Sequence, residues 1–153
     1  MLRKKSKRHF YIVTVIVVLL VIWTAWSNTT VGITHYTVAS DKLPASFDHY
    51  SIVVVSDLHN AEFGENNSQL IKLIEKEKPD IIVITGDLVD SNKTNIDIAQ
   101  KLVGTLTGIA PCYYVTGNHE AWLGEQYQEL ESILLDAGVA IISVMFIIGF
   151  LLF

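Results

Sequence analysis

The chain has 153 residues, of which 50% are hydrophobic, and a formal net charge of −5 at pH 7. This length allows one domain at most, and the apolar content excludes an intrinsically disordered chain. Five of the 11 basic residues lie in the first eight positions, so the remaining body is strongly acidic and no nucleic-acid binding is expected. The single cysteine, Cys112, excludes an intrachain disulfide and a cysteine-based zinc site.

An uncharged apolar run follows the basic cluster. Residues 10–26 read FYIVTVIVVLLVIWTAW, and a helix of that length spans about 26 Å, close to the thickness of a hydrocarbon core. Trp23 and Trp26 stand at its far end, where amphipathic rings favour the membrane interface. A buried core helix is the first alternative. A cleavable signal peptide is the second, because Ala25-Trp26-Ser27 loosely resembles a cleavage site.

We predict a transmembrane signal anchor at 10–27 that crosses the cell membrane once. The positive-inside rule places the basic segment 1–9 in the cytoplasm and the domain that follows on the extracytoplasmic side. The chain would therefore contact the membrane through 10–27.

The body alternates strand-like and helix-like patterns. Apolar or β-branched runs predict strands at 31–40, 51–55, 81–84, 112–115 and 139–142. Periodic apolar residues predict helices at 66–78, from Ile96 to Leu106, and from Gln126 to a C-cap at Gly138. The last four strands and the three helices follow the order β-α-β-α-β-α-β, which indicates an α/β fold with a parallel sheet and right-handed crossovers.

Polar clusters follow three of these strands. They are Ser56-Asp57-Leu58-His59, Gly86-Asp87-Leu88-Val89-Asp90 and Gly117-Asn118-His119-Glu120. Asp87 comes 30 residues after Asp57, and Asn118 comes 31 residues after Asp87, so one strand-helix-strand unit separates neighbouring clusters. Ligands bind at the carboxyl ends of strands in an open parallel sheet, so we expect the clusters to converge. Each cluster alone could be a simple turn, but equal spacing after three apolar strands favours a shared site.

The residue types in the clusters suit divalent cations. Asp57 and His59 are two residues apart, so in extended backbone they point to the same side. Asp87 could bridge two ions through its two oxygens, and Asn118 could ligate without adding negative charge. Two metals about 3.5–4 Å apart would stabilise both the attacking and the leaving oxygens of a phosphoryl displacement.

In their order and spacing, Asp57-x-His59, Gly86-Asp87-x-x-Asp90 and Gly117-Asn118-His119-Glu120 resemble the first three motifs of the calcineurin-like metallophosphoesterases. More narrowly, the chain resembles the membrane-anchored bacterial members of that superfamily, over about residues 31–142. The resemblance implies the N-terminal half of a two-sheet α/β sandwich, preceded by one transmembrane helix. It also implies a phosphate-ester substrate and two divalent metal ions, which would be iron, manganese or zinc.

The resemblance also implies a metal-ligand set. Asp57 and His59 would bind one metal, Asp87 would bridge, and Asn118 would bind the other. A metal-bridging hydroxide would be the nucleophile, because bound metals bring the pKa of water near neutrality.

The remaining motif residues have catalytic roles by the same resemblance. His119 would lie near the phosphate, where it would stabilise the transition state or protonate the leaving oxygen. Asp90 would orient His119, as a carboxylate commonly does for an imidazole. Glu120 matches the motif without an assigned role.

The chain departs from the family pattern after His119. The family supplies later histidine ligands, including a Gly-His-x-His segment, but none of the five histidines here follows His119. Residues 139–153 carry neither charge nor histidine, so 143–153 is interpreted as an aberrant hydrophobic tail from an interrupted reading frame, with a second membrane helix as the alternative. Besides a phosphoesterase, the sequence therefore allows a catalytically inactive truncated remnant or a membrane-tethered interaction module.

Overall fold

A computed structural model describes residues 2–142, and it divides the chain into two units between Gly32 and Ile33. The predicted tail at 143–153 lies outside the described residues. The first unit is helix α1, Leu2–Thr29. Within it, Lys7–Ser27 is long and apolar enough to cross a membrane, which agrees with the predicted span.

Two threonines within the apolar part of helix α1 bond to carbonyl groups of the same helix. The hydroxyl of Thr14 donates to the carbonyl of Phe10 at 3.0 Å, and that of Thr24 donates to the carbonyl of Leu20 at 2.6 Å. These bonds remove free donors from an otherwise apolar surface, which lowers the energetic cost of placing threonine in lipid.

The second unit is built on a four-stranded parallel sheet with the order β1-β2-β3-β4. The strands are β1 Ile52–Val55, β2 Ile81–Ile84, β3 Cys112–Tyr114 and β4 Ala140–Ile141. Val55, Ile84 and Tyr114 are direct neighbours across the first three strands, so these strands end level with one another. The predicted parallel α/β architecture is confirmed.

Four helices connect the strands. They are α2 Ser68–Glu77, α3 Ile96–Leu106, α4 Asn118–Ala121 and α5 Gln126–Asp136, and short 3-10 turns lie at Ala45–Phe47 and Glu65–Asn67. The periodic patterns predicted α2, α3 and α5, whereas the single turn α4 was not predicted. Helix α3 packs against both α2 and α5. The C-cap of α5 is Ala137, one residue before the predicted Gly138, and Gly138 follows it in the left-handed conformation with a φ of +84°.

The two faces of the sheet are both apolar but are not equally covered. The covered face packs against the helices and consists of Val53, Val55, Ile82, Ile84, Cys112 and Tyr114. The open face consists of Ile52, Val54, Ile81, Val83 and Tyr113, and Val54 is 61% exposed. Within the described part of the second unit, the buried core therefore lies on one side of the sheet.

The predicted strand at 31–40 is wrong. Residues 31–40 have no regular secondary structure, and Tyr36 and Val38 are largely exposed. β-Branched residues favour strands through packing on a partly buried, paired surface, and this segment pairs with none of the described strands. His35 instead contacts Glu77 near the end of α2, at 2.8 Å between Nε2 and Oε2.

Candidate metal centre

The three polar clusters lie at the carboxyl ends of β1, β2 and β3, where backbone hydrogen bonds join the loops. The N–H of Asp57 donates to the carbonyl of Gly86 at 3.4 Å, and the N–H of His59 donates to the carbonyl of Asp87 at 2.8 Å. The N–H of His119 donates to Oδ1 of Asp87 at 2.8 Å, which joins the third loop to the second. The predicted convergence of the clusters is confirmed.

One group of possible metal ligands combines the first two loops. Asp57, His59 and Asp87 each offer a ligand atom within 4.8 Å of the others. Nε2 of His59 lies 4.0 Å from Oδ1 of Asp57, and Oδ2 of Asp57 accepts a hydrogen bond from the Ser56 hydroxyl. Two carboxylates and one imidazole form a mixed oxygen and nitrogen donor set that suits several divalent transition metals.

A second group of possible ligands shares His59 with the first. His59, Asp90 and His119 offer ligand atoms within 4.8 Å of one another. The rings of His59 and His119 meet edge to face, with centroids 4.4 Å apart. Trp122 lies 5.3 Å from the His119 ring, so His119 has an aromatic neighbour in addition to His59. The two groups therefore form one continuous site.

His119 has its Nδ1 atom engaged by the loop after β2. The N–H of Ser91 donates to Nδ1 at 3.2 Å, and the Ser91 hydroxyl lies at the same distance. Because Nδ1 accepts this bond, the neutral ring carries its proton on Nε2. Ser91 was not singled out in the sequence, since nothing in the local pattern marks a backbone donor.

Asp90 lies beside His119 without a hydrogen bond to it. Oδ1 of Asp90 is 3.8 Å from Nδ1 of His119 and accepts the N–H of Asn92 at 2.7 Å. That backbone bond is the main cause that holds the pKa of the Asp90 carboxyl below its ordinary value. Asp90 therefore remains an anion next to the imidazole at neutral pH.

Three of the candidate ligands adopt left-handed backbone conformations. The φ angles are +54° at Asp57, +47° at His59 and +50° at Asp87. Residues other than glycine rarely occupy this region, and such conformations cluster at functional sites where surrounding bonds hold them in place. The surrounding bonds at this edge of the sheet therefore hold these three residues in the left-handed conformation.

The acidic residue Glu120 lies beneath the candidate ligands and is fully buried. Its two carboxylate oxygens accept backbone N–H groups from both neighbouring loops. The sequence assigned it no role, although a glutamate three residues after the N-cap, here Gly117, is the residue type whose carboxylate accepts the N-cap N–H at the start of a helix. The final predicted ligand, Asn118, is exposed at the start of the same helix.

The residues present fit a metal centre. Oδ1 of Asp87 receives the N–H of His119, and the second oxygen of this carboxylate has none of the described hydrogen bonds. His59 takes part in both donor groups. A parallel α/β sheet that gathers aspartate and histidine side chains at its carboxyl edge defines a class of protein, those that can hold divalent cations at the open edge of the sheet.

Comparison with known proteins identifies the family. Residues 50–149 match the calcineurin-like phosphoesterase family, and the chain belongs to it. This match contains all six residues that the motifs place at the site. Members of this family bind divalent metals, in agreement with the Asp and His groups found here.

Several curated relatives carry the same family name. The chain is 36% identical over 91 residues to an uncharacterized metallophosphoesterase from Aquifex aeolicus, covering 58% of this chain and 34% of the relative. It is 38% identical over 95 residues to the metallophosphoesterase YkuE from Bacillus subtilis, covering 57% and 32%. A bovine transmembrane protein with metallophosphoesterase domain is 30% identical over 125 residues, covering 80% and 28%. The chain thus spans about a third of these relatives.

Proposed function

We propose that this protein hydrolyses phosphate esters at a centre of two divalent cations and is anchored on the outer face of the cell membrane. The observation that carries the proposal is the convergence of Asp57, His59 and Asp87 as possible metal ligands at the carboxyl edge of the sheet, with Asp90 and His119 beside His59. Family membership supplies the reaction class.

The proposal assigns the cations to four side chains. Asp57 and His59 would hold one cation, Asp87 would bridge, and Asn118 would hold the other. Bound cations of this type lower the pKa of water and offset the charge of phosphoryl oxygens. The donor set suits manganese, iron or zinc.

Nε2 of His119 would donate a hydrogen bond to a phosphoryl oxygen and so stabilise the transition state. The bond from Ser91 to Nδ1 leaves the proton of the neutral ring on Nε2, which is the arrangement that this hydrogen bond needs. The Asp90 carboxylate, whose Oδ1 lies 3.8 Å from Nδ1, would stabilise the partial positive charge that the ring gains as it donates. The neighbouring rings of His59 and Trp122 would limit rotation of the imidazole.

The membrane part of the proposal uses α1. Lys7–Ser27 has the length and hydropathy of a membrane span, and the bovine relative is named a transmembrane protein. Basic residues concentrate before the span, so the positive-inside rule puts residues 1–9 in the cytoplasm. Accessibility of a cysteine-reactive, membrane-impermeant label to a Leu43→Cys variant in intact cells tests this orientation, since labelling is expected only if the second unit lies outside.

The catalytic part is tested with the full chain in detergent micelles. We expect Mn²⁺-stimulated hydrolysis of p-nitrophenyl phosphate or its diester, and a loss of at least about 100-fold with Asp87→Asn, because a bridging ligand loses its charge. Asp136→Asn makes the same chemical change on an exposed residue at the end of α5 and should leave the rate unchanged.

The experiment separates the enzyme from an inactive remnant. Mn²⁺ binding by calorimetry without hydrolysis of either ester would favour the remnant, in which the ligands persist but the centre does not turn over. If neither Mn²⁺ binding nor hydrolysis occurs, the metal centre itself is refuted for this chain.

A further inference from the structure

Glu120 is a buried anion whose neighbours are backbone amides. Oε2 accepts the N–H of Asp87 at 2.8 Å and that of Gly117 at 2.9 Å. Oε1 accepts the N–H of Leu88 at 2.7 Å and that of Val89 at 3.1 Å. Among residues 33–142, no lysine, arginine or histidine forms an ion pair with Glu120. Four N–H dipoles therefore compensate the charge that burial makes costly.

Two glycines allow the loops to approach this carboxylate. A Cβ on Gly86 would lie 2.4 Å from the backbone nitrogen of Gly117, and a Cβ on Gly117 would lie 2.4 Å from the nitrogen of Asp87. Such distances are well inside van der Waals contact, so only glycine permits this separation. The approach lets one oxygen, Oε2, accept a donor from each loop.

The bonds act on the two loops that carry candidate ligands. Asp87 sits in the left-handed region at a φ of +50°, and its own amide is held by Glu120. Gly117 immediately precedes Asn118, the predicted ligand of the third loop. One side chain thus bonds to the backbone of Asp87 and to the residue before Asn118.

We propose that Glu120 is a positioning residue that sets the place of Asp87 relative to Asn118 by accepting four backbone hydrogen bonds. The effect of this positioning on metal binding rests on the proposed metal-dependent function. The inference goes beyond that function because Glu120 does not itself ligate a metal or touch the substrate.

The role requires a carboxylate rather than any polar group. Both oxygens of Glu120 are acceptors, and each serves two N–H donors. An amide at this position has one oxygen and one NH₂, so Glu120→Gln would direct a donor at one pair of N–H groups. That pair would be left without an acceptor inside a buried site. Glu120→Asp keeps both acceptors on a shorter side chain.

Amide hydrogen exchange tests the bonds without any metal. In the full chain in micelles with EDTA, we expect the N–H groups of Asp87, Leu88, Val89 and Gly117 to be protected. At least two of them should exchange ten or more times faster in Glu120→Gln. Glu129→Gln is the matched control, because Glu129 is exposed on α5 and should not alter these four amides.

Mn²⁺ affinity, measured by loss of the free-ion electron paramagnetic resonance signal, tests the positioning role. Residues that orient metal ligands typically contribute 10–100-fold in affinity, so Glu120→Gln should raise the Kd by about 10-fold or more. The Kd of Glu120→Asp should lie between the values for the wild type and for Glu120→Gln. A merely structural residue would lower the midpoint of urea unfolding and leave the Kd of the folded protein unchanged.

The outcomes distinguish this inference from the proposed function. Wild-type Kd or unchanged amide protection in a folded Glu120→Gln overturns the positioning role. If Glu120→Gln does not fold, Glu120→Asp decides, and a wild-type Kd in that variant overturns it as well. If the wild-type chain binds no Mn²⁺, the metal-dependent function fails, whereas the exchange measurement still decides whether Glu120 holds the two loops.

Discussion

The covered and open faces of the sheet have the same apolar composition but different surroundings. On β1, Val55 of the covered face is 6% exposed, while its neighbour Val54 on the open face is 61% exposed. Parallel strands in proteins are normally covered on both faces, so the open face has the composition of a surface that is suited to burial. The folding energy of the described second unit must therefore come mainly from one side of the sheet.

The largest expected effect is on the covered face. Ile82 is fully buried on β2, and Ile82→Ala should lower the free energy of unfolding by about 3–4 kcal/mol, since it removes three carbons and leaves a cavity. Ile52→Ala makes the same truncation on the open face, where the side chain is half exposed, and should cost less than about 1 kcal/mol. Urea unfolding of the full chain in micelles measures both. Equal losses would show that the open face is buried in solution.

Replacing valine with threonine changes the polarity of a side chain but not its size, so it tests the difference between the covered and the open face. Val55→Thr introduces a hydroxyl on the covered face and should cost about 1–2 kcal/mol, because the new group is buried without a dedicated partner. Val54→Thr places the same hydroxyl in solvent and should change stability by less than about 0.5 kcal/mol. The two residues are adjacent and identical, so the difference between their unfolding free energies reports burial alone. A similar cost at both positions would contradict the assignment of faces.

Local sequence patterns predicted the framework of this unit well. The apolar runs at 81–84 and 112–115 and the helical period from Ile96 to Leu106 match β2, β3 and α3 almost residue for residue. These elements follow from local periodicity and from their flanking glycine and proline residues. The convergence of the polar clusters also follows, because the carboxyl ends of parallel strands meet at one edge.

The contacts that join distant residues could not be predicted in the same way. The bond from Ser91 to His119 links residues 28 apart, and three of the four N–H groups that donate to Glu120 lie more than 30 positions earlier. A backbone N–H belongs to every residue except proline, so no residue type marks the one that will donate. The prediction of a strand at 31–40 was wrong for a different reason. The β-branched residues there have strand propensity, but none of the described strands pairs with them.

An ionisable group on the covered face should have a smaller effect on stability than the substitutions at Ile82 and Val55. Burial raises the pKa of the Cys112 thiol to about 11, and its Sγ donates to the carbonyl of Ala110 at 3.3 Å. The unfolded chain loses this proton near pH 9 and the folded chain near pH 11, so stability declines within that window as the pH rises. Relative to Cys112→Ala, the wild type should lose about 1 kcal/mol between pH 8 and pH 10. Parallel pH profiles for the two proteins would contradict a buried thiol.

Thiol labelling extends that test to the open face. Cys112 is 3% exposed and neutral at pH 8, so native wild-type chain should react with iodoacetamide only after unfolding. Val54→Cys adds a second thiol on the open face, and one label per chain should be incorporated within minutes under native conditions. The counterpart Val55→Cys places a thiol one residue away on the covered face and should stay unlabelled. Equal labelling of the two variants would mean that both faces of β1 are in the same environment, and the one-sided core would then be wrong.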